Sequence, residues 1–447
     1  MKFTKFGKAL LMSAVSVGLI LGVSSCVQSY TVGFLYVTGV VTALSGNNGI
    51  ISGFKIDHNT GFLTAINGLP VSSGGANPVR SVLLPDSRFL YVLNRGVNAE
   101  GNGNCTASDP CLNSNITQFA VGGNGILTPQ ETFYTRGENP VRLIVDPAGG
   151  FILALDQVDP RTQECELALG SSVTSCGDIT VFQVEPLTGR LTVVQNAQVT
   201  SASGKAINDF PVPAGPIDFT FVSGYVLTLS GTPSTGDAVF PYAYNAGTGQ
   251  LTLSQNSAQP LGIKQGQAIV NAGGVVYVLD NEPPSTAANL DPGISAPGAI
   301  SQILPFTVGA NGSLQAETGG VVPDDPTLAN PIYLILESKG KFIYVANQGD
   351  NVQGQNSGSG ITGYFNVNSP NYELKFIPGE PFGSGAGPQC LVEDPSDQYV
   401  YTANYNDATV SGRIVDPNSG VLNTMRVQGT YQLPGPATWC LVDGRTD

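Results

Sequence analysis

Residues 59–64 read NTGFLT, and the pattern returns six more times along the chain. The copies are GNGILT at 123–128, LTGRLT at 187–192, GTGQLT at 247–252, ANGSLQ at 310–315, PNYELK at 370–375 and NSGVLN at 418–423. Their leucines stand at 63, 127, 191, 251, 314, 374 and 422, in steps of 64, 64, 60, 63, 60 and 48 residues. A near-constant period of this size marks a repeat architecture. Six of the seven copies carry a glycine where a tight hairpin needs positive φ; the sixth, PNYELK, does not.

Upstream of each copy lies an apolar, aromatic-rich run: FLYVTG at 34–39, FLYVLN at 89–94, FILALD at 151–156, YVLTLS at 225–230, VVYVLD at 275–280, FIYVAN at 342–347 and YVYTAN at 399–404. Before most of these sits a Pro-led run closed by a turn, as in NPVRSVLLPDSR, NPVRLIVDPAGG, GPIDFTFVSG, NPIYLILESKG and GPQCLVEDPSDQ. One repeat therefore reads strand a, tight turn, strand b, long loop, strand c, hairpin, strand d. The predicted fold is all-β, a seven-bladed propeller of four-stranded antiparallel blades. The C-terminus supplies a strand a without its b, GPATWCLVDG at 435–444, and the N-terminus a strand b without its a. Joined in one blade, they close the ring and remove two sheet edges.

The first 25 residues read as a processing segment. Lys2, Lys5 and Lys8 precede an apolar stretch from Leu10 to Val23. It ends in Val23-Ser24-Ser25-Cys26, which resembles a bacterial lipobox. The expected organisation is a lipoprotein signal peptide over 1–25, a tether over 26–32 lipidated at Cys26, and the propeller over 33–447. Val27 after that cysteine resembles outer-membrane sorting. The expected location is the bacterial cell envelope, outer membrane or periplasm, with the membrane reached only through the lipid.

The chain carries 19 basic and 33 acidic residues; without the three leader lysines, 16 against 33 leaves a charge of −17. That balance argues against nucleic acid or an anionic membrane surface as partner. A monomer is expected. Six cysteines remain beyond Cys26, an even number for an oxidising compartment. Short separations predict Cys105–Cys111 and Cys165–Cys176, and the remainder leaves Cys390–Cys440.

The runs FLYVLN and FIYVANQGDN, the repeated TGxL turns and the Pro-led inner strands resemble the lactonase family of seven-bladed propellers. This is the YVTN-repeat-like group related to 6-phosphogluconolactonases. The resemblance spans almost all of residues 30–444. It implies hydrolysis of a sugar lactone, here outside the cytoplasm, where 6-phosphogluconolactone is not expected. Related propellers that cyclise muconate use a histidine beside Glu and Arg. The sole histidine here, His58, falls in a c–d turn, on the face of short turns.

Long loops at Arg95–Ser114, Gln157–Gly177, Asn281–Gly298 and Gln348–Gly360 all leave the opposite face, which is the expected site of function. Two residues past each Pro, the inner strands carry Arg80, Arg142, Asp218, Tyr333 and Cys390, with Ala268 in the fifth repeat. These are expected at the channel mouth. Strand b ends in Asn94, Asp156, Ser230, Asp280, Asn347 and Asn404. Lactone hydrolysis needs a base for water and a positive group for the oxyanion. Arg80 and Arg142 are the candidate electrophiles, and Asp218 or Asp156 the candidate base. Tyr333, Asn347, Asn404 and Glu282 are candidate ligand-binding residues. The ligand is a small lactone or, in the alternative of a non-catalytic propeller, a glycan, peptide or protein; a purely structural envelope role is the third reading. No cofactor is expected. The oxygen-rich loops NEPPSTAANLDPG at 281–293 and DQVDPRTQECE at 156–166 suit calcium but match no known calcium-loop spacing.

Overall fold

The computed structural model describes residues 30–444, apart from 42–47, 102, 107–108, 202, 233–235, 254–257, 285–297, 318–319, 350–357 and 367–373. Cys26 and the leader lie outside the described residues, as do most of the 281–298 and 348–360 loops. The first strand begins at Thr31, inside the stretch expected as tether.

Seven antiparallel sheets form the ring. Blade 1 combines Ala437–Asp443 as strand a with Thr31–Val40, Gly49–Asp57 and Leu63–Ala65 as b, c and d. Trp439 pairs with Thr38 and Leu441 with Tyr36, so the two chain ends close the ring as the repeat pattern predicts. Blades 2 to 7 begin at the inner strands Pro78–Leu83, Glu138–Val145, Pro216–Val222, Gly266–Ala272, Pro331–Leu336 and Pro388–Glu393. These inner strands touch their neighbours in that order, and the last touches Ala437–Asp443.

Strand b is buried at every position in Phe89–Asn94, Val275–Asp280, Phe342–Asn347 and Tyr399–Asn404. Sheets lie against both of its faces, so its sequence is a continuous apolar run without alternation. Strand d departs from the sequence reading. In blades 1, 3, 4, 5 and 7 it comes in two pieces on the same edge of strand c, as with Leu63–Ala65 and Val71–Ser72 on Gly49–Asp57.

The repeated turn has a packing cause. Gly61, Gly125, Gly189, Gly249, Gly312 and Gly420 all have positive φ. A Cβ on Gly420 would lie 2.5 Å from Phe342, and one on Gly61 2.5 Å from Tyr399, both in the preceding blade. The tyrosine of that blade's strand b then donates to the glycine carbonyl. Tyr401 reaches Gly61 at 2.7 Å, Tyr344 reaches Gly420 at 2.7 Å and Tyr36 reaches Gly125 at 2.8 Å. The FxY run and the TGxL turn are thus two halves of one inter-blade joint. His58 lies in the first of these turns, where Asp57 Oδ1 accepts the amides of Asn59 and Thr60.

All three expected disulfides are present, with Cα–Cα distances of 5.2, 5.7 and 5.8 Å for Cys105–Cys111, Cys165–Cys176 and Cys390–Cys440. The last joins the inner strands of blades 7 and 1. Among the described residues the one α-helix, α1, spans Thr162–Leu169 in the b–c loop of blade 3.

Candidate functional site

The inner strands start the same way in most blades. Asn77, Asn139 and Asn330 hold φ of 51°, 58° and 57° before their prolines, and Gly215 and Gly387 do the same at 71° and 69°. Asn and Gly accept that region most readily, which explains the NP and GP pairs. A register shift follows each of these prolines, and Gly266 in blade 5, and the residue two further on faces the axis. Arg80, Arg142, Asp218, Ala268, Tyr333 and Cys390 occupy this position, opposite Leu93, Leu155, Leu229, Leu279, Ala346 and Ala403 of strand b. In blade 1 the place belongs to Trp439, opposite Thr38, because one more residue follows Pro436 before the ladder resumes. Counting two from that proline reaches Thr438 instead, so the sequence reading missed the tryptophan.

Arg80 is the centre of the site. Its guanidinium carbon lies 3.4 Å from the Trp439 ring centroid and 5.5 Å from that of Tyr333. The two rings meet edge to face, with centroids 4.8 Å apart. Burial, with the charge of Arg142 added, pushes the Arg80 pKa down to about 10, so it stays cationic at neutral pH. Among the described residues it has no carboxylate within ion-pair distance and no hydrogen-bond acceptor. Burial also holds the Tyr333 phenol above its ordinary pKa, so it is a neutral hydroxyl.

A cavity of about 370 Å³ extends from this cluster. Its walls are Val82, Leu143, Val145, Val392 and Val442, with other inner-strand residues. These belong to the halves of strand a nearer the short a–b turns. The aromatic–arginine cluster therefore forms the inner end of a cavity on the short-turn half, where the sequence placed a mouth on the long-loop face. A second cavity, of about 590 Å³, lies between α1 and blade 4. Among the described residues its wall carries no ionisable side chain, in contrast to the axial cavity with Arg80.

The other predicted residues separate into three groups. Arg142 Nε donates to Asp218 Oδ1 at 3.0 Å. Asp218 also accepts the amides of Phe219 at 2.9 Å and of Ile269, in the next blade, at 3.1 Å. This pair sits beside Arg80 without lining the cavity. Asn347 and Asn404, at the ends of their strands b, and Asp156, two residues short of the end of Phe151–Val158, are fully buried. Asn347 Nδ2 donates to Thr362 Oγ1, and Asn404 Nδ2 to Thr409 and Ser411, all on strand c of the same blade. Asp156 accepts from Thr135 Oγ1 at 2.9 Å, and burial pushes its pKa up to about 7. Glu282 accepts the amide of Lys264 at 2.7 Å and is partly exposed in its loop. None of Asp156, Asn347, Asn404 and Glu282 lies on the cavity wall.

Arg95, which the sequence reading passed over, donates through Nε to Asn139 Oδ1 at 2.5 Å. Burial and the charge of Arg142 lower its pKa.

The family model for the lactonase seven-bladed β-propeller matches residues 47–167 and 309–438, more than half of the chain. No curated protein sequence matches the chain. Among solved structures, a candidate 6-phosphogluconolactonase of Bacteroides fragilis superposes with a TM-score of 0.61 at 15% identity, over 92% of this chain and 98% of its own. The periplasmic gluconolactonase of Pseudomonas aeruginosa gives 0.61 at 16% identity, over 92% and 99%. A hypothetical selenium-binding protein of Sulfolobus tokodaii gives 0.59 at 11% identity, over 94% and 95%. At such identities the likeness shows the fold, which serves more than one function.

Proposed function

Since the chain belongs to the lactonase family of seven-bladed β-propellers, we propose that its axial cavity binds a lactone and hydrolyses it. The observation that carries this reading is Arg80, a buried cation with no carboxylate within ion-pair distance among the described residues, at the end of a pocket of small-molecule size. The guanidinium would take the lactone carbonyl and stabilise the oxyanion as water adds. The Tyr333 hydroxyl would donate beside it. Apolar walls suit the carbon skeleton of the ring, and the Trp439 face suits a sugar or alkyl lactone. Asp218, beside Arg80 but off the cavity wall, would be the base, reaching the attacking water through one bridging water for which Oδ2, with one amide accepted, keeps a lone pair.

Export and lipid attachment at Cys26 belong to the same proposal. Three disulfides in the propeller support an oxidising compartment.

One observation favours the second reading, a binding propeller without catalysis. None of Asp156, Asp218 and Glu282 lines the cavity. Titration of released acid, with a panel of sugar and aliphatic lactones, separates the two. Hydrolysis predicts saturable acid release that falls at least ~100-fold in Arg80→Ala, the order found when an oxyanion donor is removed. Wild-type traces equal to buffer, with lactone still bound, would establish the binding reading in its place.

A further inference from the structure

Blade 3 gathers an unusual number of buried acids away from the predicted electrophiles. Asp156 lies near the end of strand b (Phe151–Val158), Asp159 and Glu164 belong to the b–c loop and α1, Asp178 lies near the start of strand c (Cys176–Val184), and Asp209 precedes the strand Phe210–Pro213. The four aspartates are buried, and Glu164 is 17% exposed at its side chain. The cation in ion-pair contact with them is Arg161; Arg136 acts on Asp209 from further off. Arg161 lies 2.8 Å from Asp159, 3.1 Å from Asp209, 3.6 Å from Glu164 and 3.7 Å from Asp178. The last two distances are too long for hydrogen bonds.

Positive charge is thus scarce against five carboxyl groups. We propose that Asp159, Glu164 and Asp209 form a calcium site that closes the blade 3 loop onto the propeller.

Two independent observations lead to this. The first is spacing: one oxygen from each of the three carboxylates lies within 4.8 Å of the others. Oxygens that share one calcium at about 2.4 Å cannot be further apart than about twice that distance. The second is the state of the oxygens. Neither oxygen of Asp209 accepts a hydrogen bond among the described residues, because the Arg161 contact at 3.1 Å is not aligned for one. Glu164 Oε2, Asp178 Oδ2 and Asp156 Oδ2 are equally without a donor. A buried carboxylate elsewhere, Asp394, is capped by the amides of Gln398 and Tyr399. Orphaned oxygens are costly to bury unless something positive meets them.

The donors are all oxygen, since the neighbouring Cys165 and Cys176 are joined as a disulfide. That set suits a hard cation such as calcium and not zinc. The Arg161 side chain is 23% exposed, so it can yield its place from the solvent side. The arginine fills the site when calcium is low. Nothing in this site depends on the lactonase reading.

The test uses the full chain, stripped with EDTA and titrated with calcium chloride. Calcium should raise the melting temperature saturably and bind calorimetrically with a Kd of ~10⁻³ M or tighter, the range of extracellular calcium modules. Asp209→Asn should weaken binding at least ~10-fold. If that variant does not fold, Glu164→Gln, at the exposed edge, should weaken it in the same direction. Arg161→Gln should melt lower than wild type in EDTA and recover in calcium. The proposal is overturned if calcium at about 5 mM, roughly five times that Kd, neither binds the wild type nor rescues Arg161→Gln.

Discussion

Asp218 holds three blades together, and its removal should show it. Its carboxylate accepts from Arg142 of blade 3, from the Phe219 amide of its own blade 4 and from the Ile269 amide of blade 5. Asp218→Ala removes all three bonds and strands two amides and a guanidinium. At ~1 kcal/mol for each bond, with part of the penalty for an unpaired charge, the loss should be about 3–4 kcal/mol. Arg142→Ala should cost less, about 1.5 kcal/mol, because the arginine side chain is 23% exposed and the carboxylate keeps its two amides. The double variant should cost little more than Asp218→Ala alone, since the second substitution removes a bond already lost. The assay is denaturant unfolding of the four proteins, compared by midpoint at constant slope. A loss below ~1 kcal/mol for Asp218→Ala, or additive single costs, would refute the cross-link.

The turn glycines give a second test. Gly420→Ala imposes φ of 71° on alanine and drives its Cβ to 2.5 Å from Phe342, for a cost of about 2–4 kcal/mol. Gly274→Ala, at φ of 90° with open space around it, should cost only the backbone part, ~1 kcal/mol; equal midpoints for the two would remove the steric explanation. A third concerns pH. Burial raises Asp156, Asp209, Asp280 and Glu393 to about 7, whereas unfolded Asp and Glu titrate near ~4. Between these values the folded chain holds protons that the unfolded chain releases, so stability should fall as pH rises from about 4 to about 7. Melting temperatures in EDTA across that window should decline, and a rise would contradict the assignment. With calcium present the blade 3 share of the decline should shrink.

Much of the ring was legible because its sequence signals are contact signals. The TGxL glycine is required where an aromatic of the preceding blade packs on it, so the leucine steps count blades. The FLYVLN-type runs are apolar throughout because sheets cover both faces. The closing strand followed from what each chain end lacked, and the disulfide pairs from two short separations and the two cysteines left over. The site was legible only in part. Counting from the proline found Arg80, Arg142, Asp218 and Tyr333, but the extra residue after Pro436 hid Trp439. Loop length pointed to one face, whereas the cavity is set by side-chain volume along the inner strands, to which loops do not contribute. Asn347 and Asn404 are polar at a strand end because strand c hydroxyls lie beside them, and a sequence does not display those neighbours. The acids around Arg161 come from separate positions between 156 and 209, assembled only by the blade.

Trp439 is the only tryptophan of the chain, and it lies against Arg80 at the end of the cavity. Its fluorescence is therefore a direct reporter of whether that cavity is the site. Titration of the wild type with a lactone that it hydrolyses, and with the acid produced, should give a saturable change in intensity or wavelength. Arg80→Lys should shift the midpoint to higher concentration. Turnover of a lactone with Trp439 emission unchanged at saturation would place the site elsewhere and contradict the account.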